Sequence, residues 1–515
     1  MISSFKKPYF NSHNLYLFGA LSICIGLSLS KPLLGLGQIL MIVGWLTGGN
    51  LKNKLKTFFT NPIALALVAF FGLTLLGLIN TSDFSYAFKD IKRKLPLFIL
   101  PFVLFSKRFT AKEIKLFFIV YIGGVIASSF WSVFVKLGGL GITVTDYRDL
   151  SRFNSHIRFG LEICLAIFGA GYYFIKTASL KEKVVWVLTI IWLCLFMVLI
   201  SLFTGILVLF IVTVLMLLFY SFKIKNLSLK LLLYALPIIT IAFGTYKFEK
   251  SYASFYEHNT PLKERTHTIN GGSYFNDSTA TSKENGFYTW KNNCFREMYW
   301  AWSKKSKIPF HENDLKGQKL KVTLTRFLTS KGEYKDSLSV YNLTKEEVEA
   351  IENGIANYKL MDMSSLDKRI FDLLWEYDNY KNGGNYNGHS LLMRLEYWKT
   401  GIDIFMNNQL LGVGTGDIQT AFNQQYEINR SILKPQFRLR AHNQFSLIGI
   451  IIFGWFLFYP MVKTTSYYSF LYMSFFSIIL VSMLTEDTLD TQVGITFFAF
   501  FNTLFILNNK ELKGK

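Results

Sequence analysis

The chain has 515 residues, of which 51% are hydrophobic and 17% aromatic, and its mean hydropathy is +0.29. These values exclude a large soluble enzyme, because the apolar residues also fall in blocks of membrane length separated by short basic segments. A formal net charge of +21 would suggest nucleic-acid binding in a soluble protein. Here much of the Lys and Arg lies between apolar blocks, where it sets membrane orientation. We therefore predict an all-α polytopic membrane protein that binds no nucleic acid.

About twelve transmembrane helices are predicted, since a span needs about 20 mainly apolar residues. The fourth predicted span is short and contains Pro96 and Pro101. The predicted spans cover residues 14–30, 33–49, 62–79, 94–106, 114–136, 158–176, 184–200, 203–220, 229–247, 443–462, 467–484 and 493–508.

The continuous apolar run 184–220 would form a helix about 55 Å long, against a hydrocarbon core of about 30 Å. We therefore expect the run to fold back near Ser201, Thr204 and Gly205.

Basic residues set the predicted orientation. With an even number of spans and the N-terminus inside, every inner connection carries Lys or Arg, as the positive-inside tendency requires. The outer segment 80–93 is an exception, with Lys89, Lys92 and Arg93. The sequence therefore predicts that both termini are cytoplasmic.

Three domains follow from this topology. Residues 1–248 form an N-terminal bundle of about nine spans whose outer turn 137–157 is functional, 249–441 form a large periplasmic loop, and 442–515 contain the C-terminal spans and a cytoplasmic tail. The loop is predicted to be a mostly helical cap on the bundle.

Three helices and one strand are predicted inside the loop. Thr344 and Glu347 have capping-box spacing and start a helix that runs to about Tyr358. Ser364 and Asp367 open a second helix, and a third covers 390–407. Residues 318–328 alternate in polarity and are predicted to form a strand.

Arg394 is the first candidate for anion binding. It lies beside an apolar stripe that includes Leu391 and Trp398. An arginine held at headgroup depth can bind phosphate in a bidentate manner. A snorkelling surface arginine is the alternative.

Arg152, His156 and Arg158 form a second candidate cluster, before the sixth span. Two arginines in a short outer turn favour an anion site. Arg158 and Glu162 are four residues apart, so a structural ion pair is the alternative for that arginine.

Glycine-rich residues 412–417 precede a predicted helix, where backbone N–H groups can approach an anion. The spacing matches no nucleotide-binding motif, so a tight turn is the favoured interpretation.

Arg440, His442 and Asn443 stand where the loop meets the tenth span. Histidine suits proton transfer near neutral pH, whereas interfacial polar residues can also simply satisfy one another.

Three motifs together resemble the O-antigen ligase and O-antigen polymerase superfamily. They are Arg394-x3-Trp398, then Leu410-Leu411-Gly412-Val413-Gly414-Thr415-Gly416-Asp417, and then Arg440-Ala441-His442-Asn443-Gln444-Phe445. The long outer loop fits too, whereas the segment 260–385 is longer than in many members.

This resemblance implies a multi-span helical glycan transferase with a polyprenyl-pyrophosphate-linked glycan as donor and a glycolipid or glycan as acceptor, working among membrane lipids without cofactor or metal. It also implies a location in the bacterial inner (cytoplasmic) membrane, with the active site on the periplasmic side. Its essential outer-face arginines and loop histidine match Arg394, His442 and either Arg152 or Arg158. Arg440, Asn443, His156 and Gly414 are expected to contact substrate.

The sequence leaves other functions open. A polymerase would use a second lipid-linked repeat unit as acceptor, and an oligosaccharyltransferase would use a protein hydroxyl. A lipid-glycan transporter would favour charges within the spans and internal repeats. Glu486, Asp487 and Asp490 are the outer carboxylates able to hold a divalent ion, although an acidic turn after a span is ordinary.

The predicted topology can be tested with reporter fusions after Lys225 and after Lys250. We expect these positions to score on opposite sides of the membrane, because one predicted span separates them. The same reporter, cytoplasmic or periplasmic, being active at both positions would refute the topology.

Overall fold

The structure is a computed structural model, and it describes residues 11–139, 150–151, 153–222, 224–256, 262–279, 282–381, 390–429 and 446–513. The protein is 73% helical with almost no sheet, so the all-α prediction is confirmed. Two compact units are formed: the first by Met1–Leu233 with Glu396–Lys515, and the second by Tyr234–Leu395.

Eleven helices lie in the described part of the chain up to residue 256. They are α1 (Ser12–Leu29), α2 (Lys31–Thr47), α3 (Leu51–Thr60), α4 (Pro62–Leu76), α5 (Phe84–Lys94), α6 (Pro96–Leu104), α7 (Ala111–Lys136), α8 (His156–Lys176), α9 (Leu180–Leu199), α10 (Phe203–Ser221) and α11 (Leu227–Phe255).

Two short strands and eleven further helices follow in the described residues. They are β1 (Lys283–Glu284), β2 (Phe287–Tyr288), α12 (Phe295–Ser303), α13 (Leu320–Ser330), α14 (Ser337–Tyr341), α15 (Lys345–Glu352), α16 (Ser365–Lys381), α17 (Ser390–Asn407), α18 (Ile418–Ile428), α19 (Leu447–Lys463), α20 (Phe470–Thr485), α21 (Gln492–Leu507) and α22 (Asn509–Lys513).

Membrane-length helices are present in the first unit. Within the described ranges, α1, α7, α8, α9 and α10 are each long and apolar enough to cross a membrane. A sixth crossing results if α2 and α3, bent by 113° at their junction, form one span. The apolar helices α4, α19, α20 and α21 are shorter, and helices of 15–17 residues reach only about 22–26 Å.

The predicted break in the run 184–220 is confirmed. Helix α9 ends at Leu199 and α10 begins at Phe203. Between them Ser201 adopts φ 53°, a left-handed conformation that ends a helix. The chain therefore reverses through a tight turn close to the predicted position.

Pro96 explains why the fourth predicted span is short. It begins α6, only nine residues long, directly after α5. Proline has no N–H to donate to the carbonyl of Lys92, so the hydrogen-bonded ladder is interrupted between the two helices. The interruption separates the charged α5 from the apolar α6.

Aromatic side chains fill much of the core of the first unit. Phe118 stacks on Phe505 at 5.9 Å between ring centroids, and Phe501 lies 5.1 Å from Tyr121 and 6.1 Å from Phe475. These rings join α7, α20 and α21. Each large ring buried against its neighbours contributes both apolar area and the preferred tilted or stacked geometry.

The second unit has a separate hydrophobic core. It is built from α12, α13, α14 and α15 around the fully buried Trp302, whose indole N–H donates to the carbonyl of Ile308 at 2.9 Å. Its buried apolar side chains are Met298, Ala301, Trp302, Phe310, Leu320, Leu324, Phe327, Leu328, Val340, Leu343, Val348 and Ile351.

The predicted strand at 318–328 is wrong, since these residues form most of α13. Its polarity alternates over the first residues, but Leu320, Leu324, Phe327 and Leu328 are the buried apolar positions. That spacing of four, seven and eight is helical. Burial of these side chains against α12 and α15 therefore favours a helix over a strand.

A small hairpin lies at 283–288 instead. Asn285 and Gly286 both have positive φ, 48° and 89°, between β1 and β2. An Asn-Gly pair is the preferred sequence for a two-residue turn with this backbone. The hairpin was not predicted, but this dipeptide was the feature of the sequence that indicated it.

The three predicted helices of the loop are confirmed, with one shorter than expected. Thr344 and Glu347 form the capping box of α15, which ends at Glu352 and not near Tyr358. Gly354, with φ +71°, follows its end. The hydroxyl of Ser364 accepts from the backbone N–H of Asp367 at the start of α16, and α17 covers the predicted residues.

Lys335 is a buried cation in the second unit, 1% exposed, and its ammonium donates to the carbonyl of Tyr288 at 3.2 Å. Burial lowers the pKa of this amine from 10.5 to about 8. The unfolded chain therefore binds more protons between these two pH values, so stability rises with pH across this window.

We expect the free energy of unfolding of the second unit to rise by about 2 kcal/mol between pH 7 and 9.5. Hydrogen exchange of residues 320–330, corrected for the intrinsic effect of pH, would measure it. Lys335→Met has no proton to lose and should lack this increment. An equal increment in both proteins would contradict the assignment.

Candidate functional site

A cluster of charged side chains lies at one end of the first unit, and we call it the charged cluster. It joins α5 and the start of α8 to the acidic turn between α20 and α21. Its members are Asp90, Arg93, Lys94, Arg158, Asp487 and Asp490.

Lys94 is the centre of the cluster and is almost completely buried, at 1% exposure. Its ammonium lies 2.8 Å from Asp90 Oδ2 and 3.9 Å from Asp490 Oδ1. Both carboxylates are themselves 3% exposed. Buried charges persist when they are paired, so Lys94 and the two aspartates depend on one another.

Arg93 adds a second link to the same turn. One of its terminal nitrogens lies 3.5 Å from Asp90 Oδ1 and 3.4 Å from the carbonyl oxygen of Asp490. Neighbouring residues at the end of α5 thus both contact the short 3₁₀ turn Thr488–Asp490. The end of this helix is fixed to the connection between α20 and α21.

Arg158 is held at the start of α8 by its two terminal nitrogens. One donates to Asp487 Oδ1 at 3.0 Å and the other to the hydroxyl of Ser155 at 3.0 Å. Its Nε is buried and has no hydrogen-bond partner among the described residues. The guanidinium is therefore held in place by two hydrogen bonds, and its Nε–H is not used by the described residues.

Glu162 is not the ion-pair partner of Arg158 in the described structure. It is 1% exposed, and its Oε1 accepts from the side-chain amide of Asn154 at 2.8 Å. The partner of Arg158 comes instead from the turn after α20, more than three hundred residues later in the chain. The short sequence spacing of Arg158 and Glu162 therefore did not decide the pairing.

His156 is the first residue of α8, with Nδ1 3.5 Å from the hydroxyl of Ser151. It is partly buried and lies one helical turn or less from Arg158. The imidazole therefore lies at the same end of α8 as Arg158. Arg152 lies outside the described residues.

The glycine-rich segment packs on the loop between α4 and α5. The Thr415 hydroxyl donates to the Thr74 carbonyl at 2.8 Å, and the Thr415 N–H donates to Gly77. The Gly416 N–H donates to the Thr81 hydroxyl at 3.2 Å. These amides are used in packing, which favours the tight-turn interpretation of the segment.

Asp417 accepts two backbone N–H groups of the same loop. Its carboxylate oxygens lie 2.6 Å from the Ser82 nitrogen and 3.0 Å from the Asp83 nitrogen. The side chain of Asp83 in turn accepts from the Tyr86 N–H and caps α5. The glycine-rich segment thereby positions the start of the helix that ends at Lys94.

A polar cleft of about 650 Å³ lies at this junction, and we call it the glycine cleft. Its polar side chains are Asn80, Ser82, Asp83, Asn408, Asp417, Thr420 and Gln424, and Gly414 is also part of its wall. Amides, hydroxyls and carboxylates together offer both hydrogen-bond donors and acceptors. The eleven residues of α5, about 16 Å, separate this cleft from Lys94.

Arg394 lies on α17, in the second unit, and is partly buried. The predicted apolar stripe beside it is largely exposed, including Leu391, Leu395, Trp398 and Ile402. An exposed apolar helix face of this kind is suited to a membrane surface. Arg158 and Arg394 belong to different units.

Arg440, His442 and Asn443 lie outside the described residues, so their predicted roles stay predictions. Within the described ranges, no group of three or more His, Cys, Asp and Glu side chains is arranged to hold a metal ion. Asp487 and Asp490 of the acidic turn are instead paired with basic side chains.

Asp90 and Lys94 were not among the predicted members of the site. Two signals were available. Asp90 and Lys94 have the i, i+4 spacing of a helical ion pair, and the basic segment at 80–93 and the acidic segment at 486–490 were both placed on the outer side. Opposite charges on the same predicted side are candidates for pairing.

Comparison of the sequence with protein-family models and with curated proteins finds no match.

Gly414 provides a test of the packing between the glycine-rich segment and the α4–α5 loop. A Cβ at this position would lie 1.9 Å from the carbonyl oxygen of Asn80, which is backbone. We expect Gly414→Ala to destabilise the first unit by about 2 kcal/mol, because overpacking forces the backbone to move. The melting temperature of the purified protein measures this loss.

Gly454→Ala is the matched control, since nothing lies within 4 Å of its Cβ position in α19. It should leave the melting temperature unchanged or slightly raised. Equal melting temperatures for Gly414→Ala and the unmodified protein would show that this contact is not required.

Proposed function

We propose that the chain is an O-antigen ligase-type glycosyltransferase that moves a glycan from a polyprenyl-pyrophosphate donor to an acceptor hydroxyl of a lipid A-core sugar. The structural observation that carries the proposal is the geometry of Arg158. This guanidinium is anchored by Asp487 and Ser155, while its buried Nε–H has no partner in the described structure. An unmet buried donor costs about 1–3 kcal/mol, and a phosphate oxygen would satisfy it.

The surroundings of Arg158 also suit a pyrophosphate. The site lies at the start of α8, where the helix dipole favours negative charge. Asp487 fixes the guanidinium without occupying all of its donors. A prepositioned donor stabilises developing charge without reorganisation at the moment of reaction.

Twelve spans, cytoplasmic termini and a periplasmic loop 249–441 are part of this proposal. A helix lies over each of the twelve predicted spans. Of the three basic residues that broke the positive-inside pattern, Arg93 is paired with Asp90, and the adjacent Lys94 is paired with Asp90 and Asp490. This pairing weakens the electrostatic objection to placing this end of the bundle outside.

The proposed reaction is a direct displacement at the anomeric carbon. The acceptor oxygen forms the new glycosidic bond while the bond from carbon to the pyrophosphate oxygen breaks, and the electron pair leaves with polyprenyl pyrophosphate. His442 accepts the proton of the acceptor hydroxyl. Arg158, Arg394 and Arg152 hold the leaving group, and the single displacement inverts the anomeric centre.

The glycine cleft is the proposed location for part of a glycan. Its amides, hydroxyls and carboxylates match the mixed donors and acceptors of sugar hydroxyls. Gly414 contributes to the wall of this cleft, and the expected contacts of His156, Arg440 and Asn443 with substrate belong to the same proposal.

The experiment uses purified full-length protein in lipid nanodiscs with a lipid-linked repeat unit as donor. Lipid A-core is offered as acceptor, and products are separated by mass. Transfer to lipid A-core supports the ligase. Repeat-unit ladders on the carrier lipid would identify a polymerase, label on a protein would identify an oligosaccharyltransferase, and intact donor crossing the bilayer would identify a transporter.

Arg158→Lys tests the anion-binding role. Lysine retains the positive charge near Asp487 but lacks Nε and the planar fork. We expect transfer to fall roughly 10²-fold, the size of effect seen when one charge-stabilising donor is removed. The rate is measured under saturating acceptor, together with donor binding.

Arg265→Lys is a matched arginine control, because Arg265 stacks on Tyr334 in the second unit. It should retain normal transfer. A folded Arg158→Lys protein with unchanged transfer and donor binding would remove Arg158 from the mechanism.

His442→Ala tests the proposed general base. Transfer should fall by about 10² to 10⁴, while donor binding stays nearly intact because it rests on the arginines. His156→Ala should cost less, and His311→Ala, at an exposed histidine of the second unit, should cost nothing. Transfer within a few-fold of normal in His442→Ala would exclude the general-base role.

A further inference from the structure

A second cavity lies at the opposite end of the first unit from the charged cluster. Helix α8 begins beside Arg158 and ends at Lys176, so its 21 residues separate the two ends by about 30 Å. The cavity has a volume of about 510 Å³ and lies among the ends of α8 and α10, the start of α20 and α22. We call it the Lys176 groove.

The wall of the Lys176 groove is mainly apolar. Phe168, Met216, Leu217 and Phe470 contribute to it, together with the ring of Tyr172, which stacks on Phe470 at 15° and 6.4 Å. The volume lies in the range of about 300–1,000 Å³ that is usual for ligand sites. Such a wall matches a hydrocarbon chain.

Access to the groove from a bilayer is consistent with the surfaces of α10. Leu207, Phe210, Leu215 and Leu218 of this helix are exposed, as expected for a helix face in contact with lipid. The groove residues Met216 and Leu217 lie on the same helix. The groove therefore borders a helix that also has exposed apolar side chains.

A lysine and a buried hydroxyl are among the polar groups of this wall. Lys176 is exposed, with its ammonium 5.8 Å from the centre of the Tyr172 ring, and no acidic partner is found for it in the described residues. Ser469 is 2% exposed, and its buried hydroxyl has no hydrogen-bond partner there. A cation and an unmet hydroxyl beside one apolar cavity fit an anionic headgroup.

We propose that the Lys176 groove binds an anionic glycerophospholipid. One acyl chain lies against Phe168, Met216 and Phe470, and the phosphate contacts the Lys176 ammonium and the Ser469 hydroxyl. A basic pocket between transmembrane helices is a known arrangement for anionic lipid headgroups. The proposal is independent of the glycosyltransferase function, since it concerns the other end of the bundle.

The test is native mass spectrometry of the full-length protein released from detergent, titrated with phosphatidylglycerol or phosphatidylcholine. We expect the first phosphatidylglycerol to bind at least fivefold more tightly than phosphatidylcholine. Lys176→Ala should weaken that first event about fivefold, the contribution of one basic residue near an anionic surface. Ser469→Ala should weaken it by a smaller factor.

Lys463→Ala is the matched control, because Lys463 is an exposed lysine at the end of α19 and is not part of the groove wall. It should leave the first binding event unchanged. Thr213→Phe, which places a ring in the groove, should reduce binding of both lipids at the first site while the melting temperature stays within a few degrees of normal.

Three results would overturn the proposal. One is equal loss of phosphatidylglycerol binding in Lys176→Ala and Lys463→Ala. Another is unchanged binding in a folded Thr213→Phe protein. The third is displacement of phosphatidylglycerol by undecaprenyl phosphate at equal or lower concentration, which would assign the groove to the carrier lipid.

Discussion

The pairing of buried Lys94 with Asp90 and Asp490 is the constraint on which one end of the first unit depends. Three nearly inaccessible charges would be strongly destabilising if separated, since removal of one partner from a buried pair costs about 3–5 kcal/mol. In the structure they are paired, since the Lys94 ammonium lies 2.8 Å from the Asp90 carboxylate and 3.9 Å from that of Asp490. The end of α5 is thereby fixed to the turn that precedes α21.

Two other features follow from that attachment. The same turn contains Asp487, which holds the guanidinium of Arg158 at the start of α8. At its other end, α5 begins at a loop that is hydrogen-bonded to Asp417 and the glycine-rich segment. Helix α5 therefore connects the charged cluster with the glycine cleft, and the proposed transferase would use both ends of this one helix.

The two ends of the bundle offer different chemistry. The charged cluster combines paired carboxylates with one guanidinium that retains an unused donor, which suits the anionic leaving group of the proposed reaction. The Lys176 groove combines an apolar wall with a single lysine, which suits a resident lipid. Helix α8, about 30 Å long, separates the charged cluster from the Lys176 groove.

The sequence determined the class of structure and most helix positions. Apolar blocks of membrane length, the Thr344 and Glu347 capping box, and the break near Ser201 each depend on residues close together in the chain, so local rules were sufficient. The strand prediction at 318–328 is wrong because its short polarity pattern fits both a strand and a helix. Burial against distant helices favours the helix, in which the buried side chains are Leu320, Leu324, Phe327 and Leu328. The hairpin at Asn285-Gly286 was not predicted, although this dipeptide is a local turn signal.

Only the tertiary structure decided the composition of the site. Arg158 was a candidate from its position, but its partner Asp487 lies 329 residues away, and the nearby Glu162 bonds to Asn154 instead. Lys94 and Asp490 come together across an even longer separation, because burial makes their pairing necessary. Residue type and spacing identify which groups can carry charge, whereas the packing of α5, α8 and α20 determines which of them meet.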